Sequence, residues 1–350
     1  MLKPARVLCA IVLFWSCAGG PAVQEHQRSA EPQWVLNPSS VYDEGRYISA
    51  LGFGGDRAQA EKNALGSLTA VFGQTIKGET RASYRYSEAV DEGIFNAEEN
   101  REIENAVKTS FAMDTLIGAE IRDYWFDGVD THYAVAVMEK LKCGIRYNDL
   151  VESNERVIRN LTDFPPERRD TLEAYARYGL AATIADANVV FVNVLSVLNP
   201  ASAAAFRTTL RRGEDYRIIQ GEIARNIPID VAVDQDRSDR LRAAFAVAFS
   251  LAGFGTGSGN SPYRMEVSLS LSPLDLPGNS NVFVRYIVSG KLIEMRTGNE
   301  VFPFTISGRE GHLSTGEAEN RALRVIEQKI RDDFGAEFAA YLESLSAKGQ

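Results

Sequence analysis

Arg309-Glu310-Gly311-His312, followed by Glu317, is the cluster of side chains best suited to chemistry in this chain. A carboxylate beside an imidazole can transfer protons or bind a metal ion. The spacing matches no zinc-binding pattern, so we predict a solvated loop with structural ion pairs. We therefore predict no catalytic residue, no metal site and no cofactor. An enzyme using Glu310 and His312 is kept as an alternative.

Two glycine-rich stretches are candidate phosphate-binding loops. Gly52-Phe53-Gly54-Gly55 lies between a predicted strand and a predicted helix, where backbone N–H groups can bind a phosphate. It lacks the third glycine of GxGxxG and the lysine of a P-loop, so it predicts a simple strand-to-helix turn. The second stretch, residues 253–259, follows a predicted helix and is expected to be a flexible connector. No GxSxG or SxxK motif is present.

Cys17 is the residue for which the surrounding sequence indicates a specific modification. Lys3 and Arg6 precede a nine-residue apolar run, 7–15, and small residues surround Cys17. This order is typical of a secretory signal peptide, which we place at 1–16, and the run is too short to span a bilayer.

The exit of this segment resembles a bacterial lipobox, in which the thiol of the first mature residue is joined to diacylglycerol. Phe14 occupies the position that is usually leucine, and Trp15 occupies one that is usually a small residue, whereas Ser16 fits the pattern. We expect Cys17 to be lipidated. The alternative is an ordinary signal peptide cut nearby, with Cys17 discarded or free.

The charge of the chain restricts its partners. There are 38 basic and 47 acidic side chains, which give a net charge of −9. An acidic protein is a poor ligand for nucleic acid, because nucleic-acid binding depends on a basic surface. Attraction to anionic lipid is not expected either, so the lipid on Cys17 would provide the membrane contact. Residues 17–33 are small and polar and predict a flexible, lipidated tether.

The pattern of apolar residues divides the remaining chain into three parts. Residues 34–143 predict an α/β domain with a strand at Tyr47–Leu51, a helix at 57–76, another helix starting near Asn96, and a hairpin formed by 121–126 and 133–138. Residues 144–212 have few strand signals and predict a helical segment.

Residues 213–350 predict a second α/β domain. Residues 263–272 alternate strictly between apolar and polar types, which predicts a strand with one buried face and one wet face. Two further strands, near 282–295 and 300–307, are predicted to join at the turn Thr297-Gly298-Asn299. Asp236 and Ser314 are predicted to cap the two helices of this domain. The predicted fold class is α+β, with two small sandwich-like α/β domains linked by helices.

Aromatic residues suggest contacts outside the local strand. Trp34 lies where the tether meets the first domain, and Tyr124, Trp125 and Phe126 are consecutive. Consecutive strand residues face opposite sides of a sheet, so at least one should contact a neighbouring element or a partner. We expect packing under the helices of 144–212.

Residues 32–142 resemble the LPP-twenty type of bacterial envelope lipoproteins, which includes outer-membrane lipoproteins associated with flagella. The resemblance is carried by Pro32-Gln33-Trp34-Val35, Tyr47 to Gly52, the alanine-rich helix at 57–76 and the hairpin strand Tyr133 to Met138. It implies a location and a domain type and supplies no catalytic residues. The second domain looks like small α/β domains of periplasmic lipoproteins that act as assembly partners.

Together these features predict a non-catalytic lipoprotein, anchored through Cys17 and facing the periplasm, more readily on the outer than on the inner membrane. Its partners would be the membrane and other envelope proteins, flagellar ones included, with a homo-oligomer as a further option and no nucleic acid. A small-ligand-binding lipoprotein is the alternative.

Overall fold

A computed structural model describes residues 30–72, 85–86, 88–90, 116–236, 238–276 and 281–347. The protein is an α+β fold with two sheets, as predicted. The first part contains α1 (Gln33–Leu36), β1 (Tyr47–Gly54), α2 (Arg57–Val71), β2 (Glu120–Phe126) and β3 (His132–Glu139). The middle part contains α3 (Lys140–Thr162), α4 (Leu172–Leu198), α5 (Pro200–Thr209) and α6 (Gly213–Asn226). The last part contains β4 (Ile229–Asp234), α7 (Arg240–Leu251), β5 (Thr256–Gly257), β6 (Tyr263–Leu274), β7 (Val282–Glu294), β8 (Asn299–His312), α8 (Thr315–Lys329) and α9 (Gly335–Ala347).

Several predictions concern residues outside the described ranges. They are the signal peptide at 1–16, the lipidated Cys17, most of the tether at 17–33, the last residues of the helix at 57–76, and the helix start near Asn96. These remain predictions.

The first sheet is antiparallel, with the strand order β1-β3-β2. Helix α2 packs on one face through its small and apolar residues Ala60, Ala64 and Leu68, all fully buried. The opposite face is covered by Trp34 and Val35 of α1. The predicted hairpin is confirmed.

The predicted end of the first strand at Leu51 is wrong. β1 continues to Gly54, so Gly52 and Gly54 are strand residues that pair with β3. Gly52 is required by the close contact with α2, since a Cβ at this position would lie 2.0 Å from the backbone nitrogen of Ala64. These glycines therefore serve strand–helix packing.

The helices of the middle part connect two hydrophobic cores. The N-terminal residues of α4, Leu172 and Ala174, belong to the core of the second sheet. Most of the rest of α4 belongs to the core under the first sheet, together with α3. Asn199 ends α4 and caps α5 by accepting a hydrogen bond from the backbone N–H of Ser202 (3.2 Å). Helix α6 packs along α4, and the boundary between the helical segment and the second domain at 212/213 stays a prediction.

Among the described helices, α4 alone is long and apolar enough to cross a membrane. However, 61% of its most apolar 18-residue stretch is buried inside the protein. Such burial is typical of the core helix of a globular protein, because the part of α4 that neighbouring elements cover is not available for contact with lipid.

The second sheet has the strand order β5-β4-β6-β7-β8. Strands β4 and β6 are parallel, and β6, β7 and β8 form an antiparallel meander. Helices α7, α8 and α9 cover one face. Between these helices and the sheet lies a cluster of aromatic rings, most of them in edge-to-face contact: Phe245, Phe249, Phe302, Phe304, Phe334 and Phe338. The predicted turn at Gly298 is confirmed, with a positive φ of 73°.

Both predicted caps are present in the second sheet's helices. The carboxylate of Asp236 accepts hydrogen bonds from three backbone N–H groups at the start of α7, those of Arg240, Leu241 and Arg242. The hydroxyl of Ser314 accepts one from the backbone N–H of Glu317 (3.4 Å).

The prediction of a solvated loop at Arg309–His312 is wrong. β8 extends to His312, which pairs with Val282 at the start of β7. The strand persists because β7 and β8 stay in one register from Phe302 to His312, so alternate side chains of the stretch face opposite sides of the sheet. In the second glycine-rich stretch, Thr256–Gly257 forms the short strand β5.

Candidate functional site

The helix-free face of the second sheet is an organised polar surface. Helices α7 to α9 all lie on the other face, so the outward side chains of β4, β6, β7 and β8 contact solvent. Here we call this surface the open face. Its middle consists of small hydroxyl side chains: Ser268, Ser270, Ser272, Ser289, Thr305 and Ser307. The predicted wet face of 263–272 is thus confirmed and extends over three strands.

One end of the open face is acidic. Lys291 lies between Glu266 and Glu300, with its Nζ 4.0 and 3.8 Å from their carboxylate oxygens. Asp234 at the end of β4 contributes a third carboxylate. A cavity of about 650 Å³ opens here and is lined by these side chains together with Ala232, Ser268 and Ser289. This end therefore carries three carboxylates and one ammonium group, which favours cationic ligands.

The opposite end of the open face is basic. Arg285 of β7 and Arg309 of β8 are direct partners in the antiparallel register, and both are exposed. Side chains at such positions lie close together on one face. Neither arginine forms an ion pair with another described residue. Two adjacent guanidinium groups repel each other, so an anionic partner would stabilise this end.

Ile287 lies between the two ends, in the middle of β7. Its side chain is 41% exposed, and its neighbours across the strands are Ser270 and Ser307. Ile287 is therefore an exposed apolar contact point surrounded by hydroxyls.

The residues of the predicted reactive cluster are distributed over the two faces of β8 and the start of α8. Arg309 faces the open side, whereas Glu310 pairs with Arg321 of α8, with an Oε2–Nε distance of 2.8 Å. Nδ1 of His312 is buried and has no hydrogen-bond partner among the residues that the structure describes. Glu317 lies in the first turn of α8. Glu310 and His312 are two residues apart on β8, so their side chains face the same side of the sheet, whereas Glu317 belongs to α8. The predicted ion pair of Glu310 is present.

The first glycine-rich stretch borders a groove of about 550 Å³ between β1 and α2. The start of α2 is already occupied, since the carboxylate of Asp56 accepts a hydrogen bond from the backbone N–H of Gln59 (2.8 Å). A negative charge at this point disfavours a phosphate. The side-chain amide of Asn63 also donates a hydrogen bond to the carbonyl of Phe53 (2.8 Å). The geometry therefore agrees with the prediction that this stretch is not a phosphate-binding loop.

The aromatic residues of β2 pack locally, so the prediction that they lie under the helices of 144–212 is wrong. Trp125 packs against Tyr133, 5.4 Å between ring centroids, in the cluster that contains Trp34. Tyr124 is hydrogen-bonded to Nδ1 of His132, and Phe126 stacks on the same imidazole at 4.5 Å. The physical reason is that β2 is an edge strand, whose side chains meet β3 and α1 before they can reach α3 or α4.

Cys143 is buried at the start of α3, with its Sγ 3.7 Å from the carbonyl oxygen of Gly118. Burial raises the pKa of this thiol, which makes it a poor nucleophile at neutral pH. Within the described ranges, no group of three or more His, Cys, Asp or Glu side chains is placed to hold a metal ion.

The open face was not found from the sequence. Alternation identified its strands one at a time, but the charges of Asp234, Glu266, Arg285, Lys291 and Arg309 form two ends only when the strand register is known. One signal in the sequence did point to the two charged ends: β7 carries a basic residue, Arg285, near its start and an acidic residue, Glu294, at its end.

Comparisons with known proteins give structural likenesses at low identity. No protein-family model matches the chain, and no curated protein matches it. A minor lipoprotein from Acinetobacter baumannii is 19% identical, covering 33% of this chain and 92% of that one, with a TM-score of 0.25. A lipoprotein from Neisseria meningitidis is 12% identical, covering 29% and 96%, with a TM-score of 0.21. A secreted protein from Helicobacter pylori is 10% identical, covering 81% and 97%, with a TM-score of 0.41.

Proposed function

We propose that this protein is a lipid-anchored, non-catalytic component of a bacterial cell envelope that works through protein contacts. The observation that carries the proposal is the position of Cys17, which follows a basic start and a short apolar run in a lipobox-like sequence. Acylation of one cysteine with several chains would hold the protein stably on a bilayer, whereas one chain would bind only marginally.

The open face supports a function through contacts. It spans four strands and carries opposite charges at its two ends, which is an arrangement that orients a partner. The carboxylate of Glu310 is paired with Arg321, which favours its charged form and makes it a weaker general base. The proposed partners are other envelope proteins, flagellar assemblies included, and the proposed location is the periplasmic side of the outer membrane.

Metabolic labelling with a radioactive fatty acid tests the anchor. We expect label in the wild-type protein and none in Cys17→Ala. Cys143→Ala is the matched control, because it also removes a thiol and should keep the label. The detergent phase of a phase-separation extraction should contain the wild-type protein but not Cys17→Ala. An unlabelled wild-type protein, or label that survives in Cys17→Ala, contradicts the proposal.

The acidic cavity favours one alternative function, the binding of a small cation by an anchored lipoprotein. Three carboxylates around one ammonium would attract a polyamine. A titration with spermidine tests this alternative: it predicts a rise in melting temperature that is lost in Glu266→Gln/Glu300→Gln and kept in Glu319→Gln/Glu343→Gln, which alters exposed carboxylates on α8 and α9.

A further inference from the structure

The open face has the shape that face-to-face packing of two sheets requires. Its middle is formed by serine and threonine side chains, with Ile287 as the one large apolar residue in their midst. Packed sheets are about 10 Å apart, and small side chains permit that approach.

The charges of the two ends are equal and opposite. Arg285 and Arg309 give the basic end a formal charge of +2. Asp234, Glu266 and Glu300 with Lys291 give the acidic end −2. The neighbouring pair Asp230–Arg264, at 3.1 Å, is neutral as a unit and changes neither value.

We propose that the open face is a self-association surface, on which a second copy of this chain packs with its strands antiparallel to those of the first. A two-fold axis at Ser289, in the plane of the interface and perpendicular to the strands, places the basic end of each copy against the acidic end of the other. Arg309 of one copy then lies opposite Glu300 of its partner, and Arg285 lies beside the same carboxylate, which lines the 650 Å³ cavity. Each contact is made twice, as symmetry requires of such an interface.

This arrangement neutralises both ends at once. The paired guanidinium groups gain the anions that the described residues of their own copy do not provide, and the excess carboxylates gain cations. A small cation would satisfy only the acidic end, and a small anion only the basic end. A second copy is the occupant whose charges match both ends at the correct separation, because it carries the same pattern reversed.

The size of the face indicates a weak dimer. Four strands about 4.8 Å apart and five rows of outward residues give a footprint of roughly 500 Å² per copy. The total of roughly 1,000 Å² is at the lower limit for a specific interface. We therefore expect a Kd of about 1–100 μM in solution. On a membrane, anchored copies would associate more readily because their effective concentration is higher.

Charge-swapped variants test the proposal. Arg285→Glu/Arg309→Glu changes the basic end from +2 to −2, and Glu266→Arg/Glu300→Arg changes the acidic end from −2 to +2. Each double variant alone then has two ends of the same sign. Donor and acceptor fluorophores fused to the C-termini of full-length chains in detergent report association by energy transfer.

We expect energy transfer for wild type that decreases as salt is raised from about 50 to 500 mM, since screening weakens ion pairs. Each charge-swapped variant alone should show a Kd about tenfold or more above that of wild type. An equimolar mixture of the two variants should recover a Kd within about threefold of wild type, because every facing pair of ends is again of opposite sign.

The matched control is Arg242→Glu/Arg324→Glu, which makes the same charge change at exposed arginines on the helical side of the sheet. It should associate like wild type, and circular dichroism should show all variants folded. Absence of energy transfer in wild type at about 200 μM, at least twice the upper Kd expected above, overturns the proposal. Unchanged association of both variants alone, or a mixture that stays monomeric, overturns it as well.

Discussion

The phenolic oxygen of Tyr263, on the central strand β6, accepts a hydrogen bond from the backbone N–H of Leu172, the first residue of α4, at 3.2 Å. The first N–H groups of a helix have no partner within the helix, and this bond satisfies one of them. Thr171 satisfies another, by accepting a hydrogen bond from the backbone N–H of Ala174 (3.1 Å). Because most of α4 lies in the core under the first sheet, the bond joins the second sheet to a helix that belongs to both cores.

Replacement of Tyr263 by phenylalanine should lower the free energy of unfolding by about 1–3 kcal/mol, since the buried N–H of Leu172 would lose its acceptor. Burial raises the pKa of Tyr263 to about 12. The neutral phenol therefore stabilises the fold fully below pH 10, and this contribution is lost as the pH rises from 10 to 12. Urea denaturation at pH 8, 10 and 11.5 should show a smaller loss at alkaline pH in Tyr263→Phe than in wild type.

Tyr133→Phe is the control for this experiment, because Tyr133 is only partly buried on the first sheet. It should change the stability at pH 8 by less than about 0.5 kcal/mol, as surface substitutions usually do. Equal stabilities of Tyr263→Phe and wild type at pH 8 would contradict the role given to the bond.

The contact between β1 and α2 makes Gly52 irreplaceable. An added Cβ would lie 2.0 Å from the nitrogen of Ala64 and 2.4 Å from the carbonyl oxygen of Ala60, both backbone atoms that cannot rotate away. Gly52→Ala should therefore destabilise the protein by about 3 kcal/mol or more, as overpacking of a tight core does. In Gly55→Ala the new methyl group meets nothing within 4 Å, so its thermal denaturation midpoint should stay close to that of wild type. Similar midpoints for the two variants would show that β1 and α2 are further apart than described.

Local patterns predicted elements well where one periodicity dominates. The alternation of 263–272 located β6 because one face of that strand is buried by helices and the other is wet. The extent of β1 was mispredicted, because a glycine that serves close packing looks the same in sequence as a glycine that serves a turn. The continuation of β8 to His312 was missed for a related reason, since Gly308 and Gly311 interrupt the apolar pattern without ending the pairing.

The open face could not be predicted, because it depends on contacts between strands. Arg285 and Arg309 are 24 positions apart in the chain and become neighbours only through the β7–β8 register. Asp234 comes close to Glu266 because β4 and β6 pair in parallel, and the chain between these two strands contains helix α7. A single sequence supplies the polar positions of each strand but not their alignment, and alignment decides where charge accumulates.

A buried polar network should contribute to the stability of the first core. The hydroxyl of Tyr86 donates a hydrogen bond to Oδ1 of Asn154 (2.7 Å), and the amide of Asn154 donates to Oδ1 of Asn188 (2.7 Å). Tyr86→Phe would leave the buried Oδ1 of Asn154 without this donor and should cost about 1–3 kcal/mol in urea denaturation. Tyr47→Phe is a suitable control, since its hydroxyl has no hydrogen-bond partner among the described residues, and it should be nearly neutral. A neutral Tyr86→Phe would contradict the contribution assigned to the network.

The network ends at Glu155, where it should make stability depend on pH. The amide of Asn188 donates a hydrogen bond to Oε1 of Glu155 (3.0 Å), but burial has the larger effect and raises the pKa of this carboxyl above its ordinary value of 4.5. The folded state therefore holds the proton more tightly than the unfolded state does. The contribution of Glu155 to the stability of the fold is therefore largest below pH 4.5, and it falls as the pH rises from 4.5 through the raised pKa.

Glu155→Gln keeps an acceptor for Asn188 and removes the titration. The variant should lose less stability than wild type between pH 4.5 and pH 8, and it should exceed wild type at pH 8 by less than about 1 kcal/mol, because a half-exposed carboxylate is partly solvated. Denaturation in urea at pH 4.5, 6 and 8 measures this difference. Glu152→Gln, at an exposed position of the same helix, should follow the wild-type profile. If Glu155→Gln is less stable than wild type at pH 8 and its free energy of unfolding runs parallel to that of wild type at every pH, then the charged carboxylate of Glu155 is stabilising. That result would contradict burial as the main influence on the pKa of Glu155.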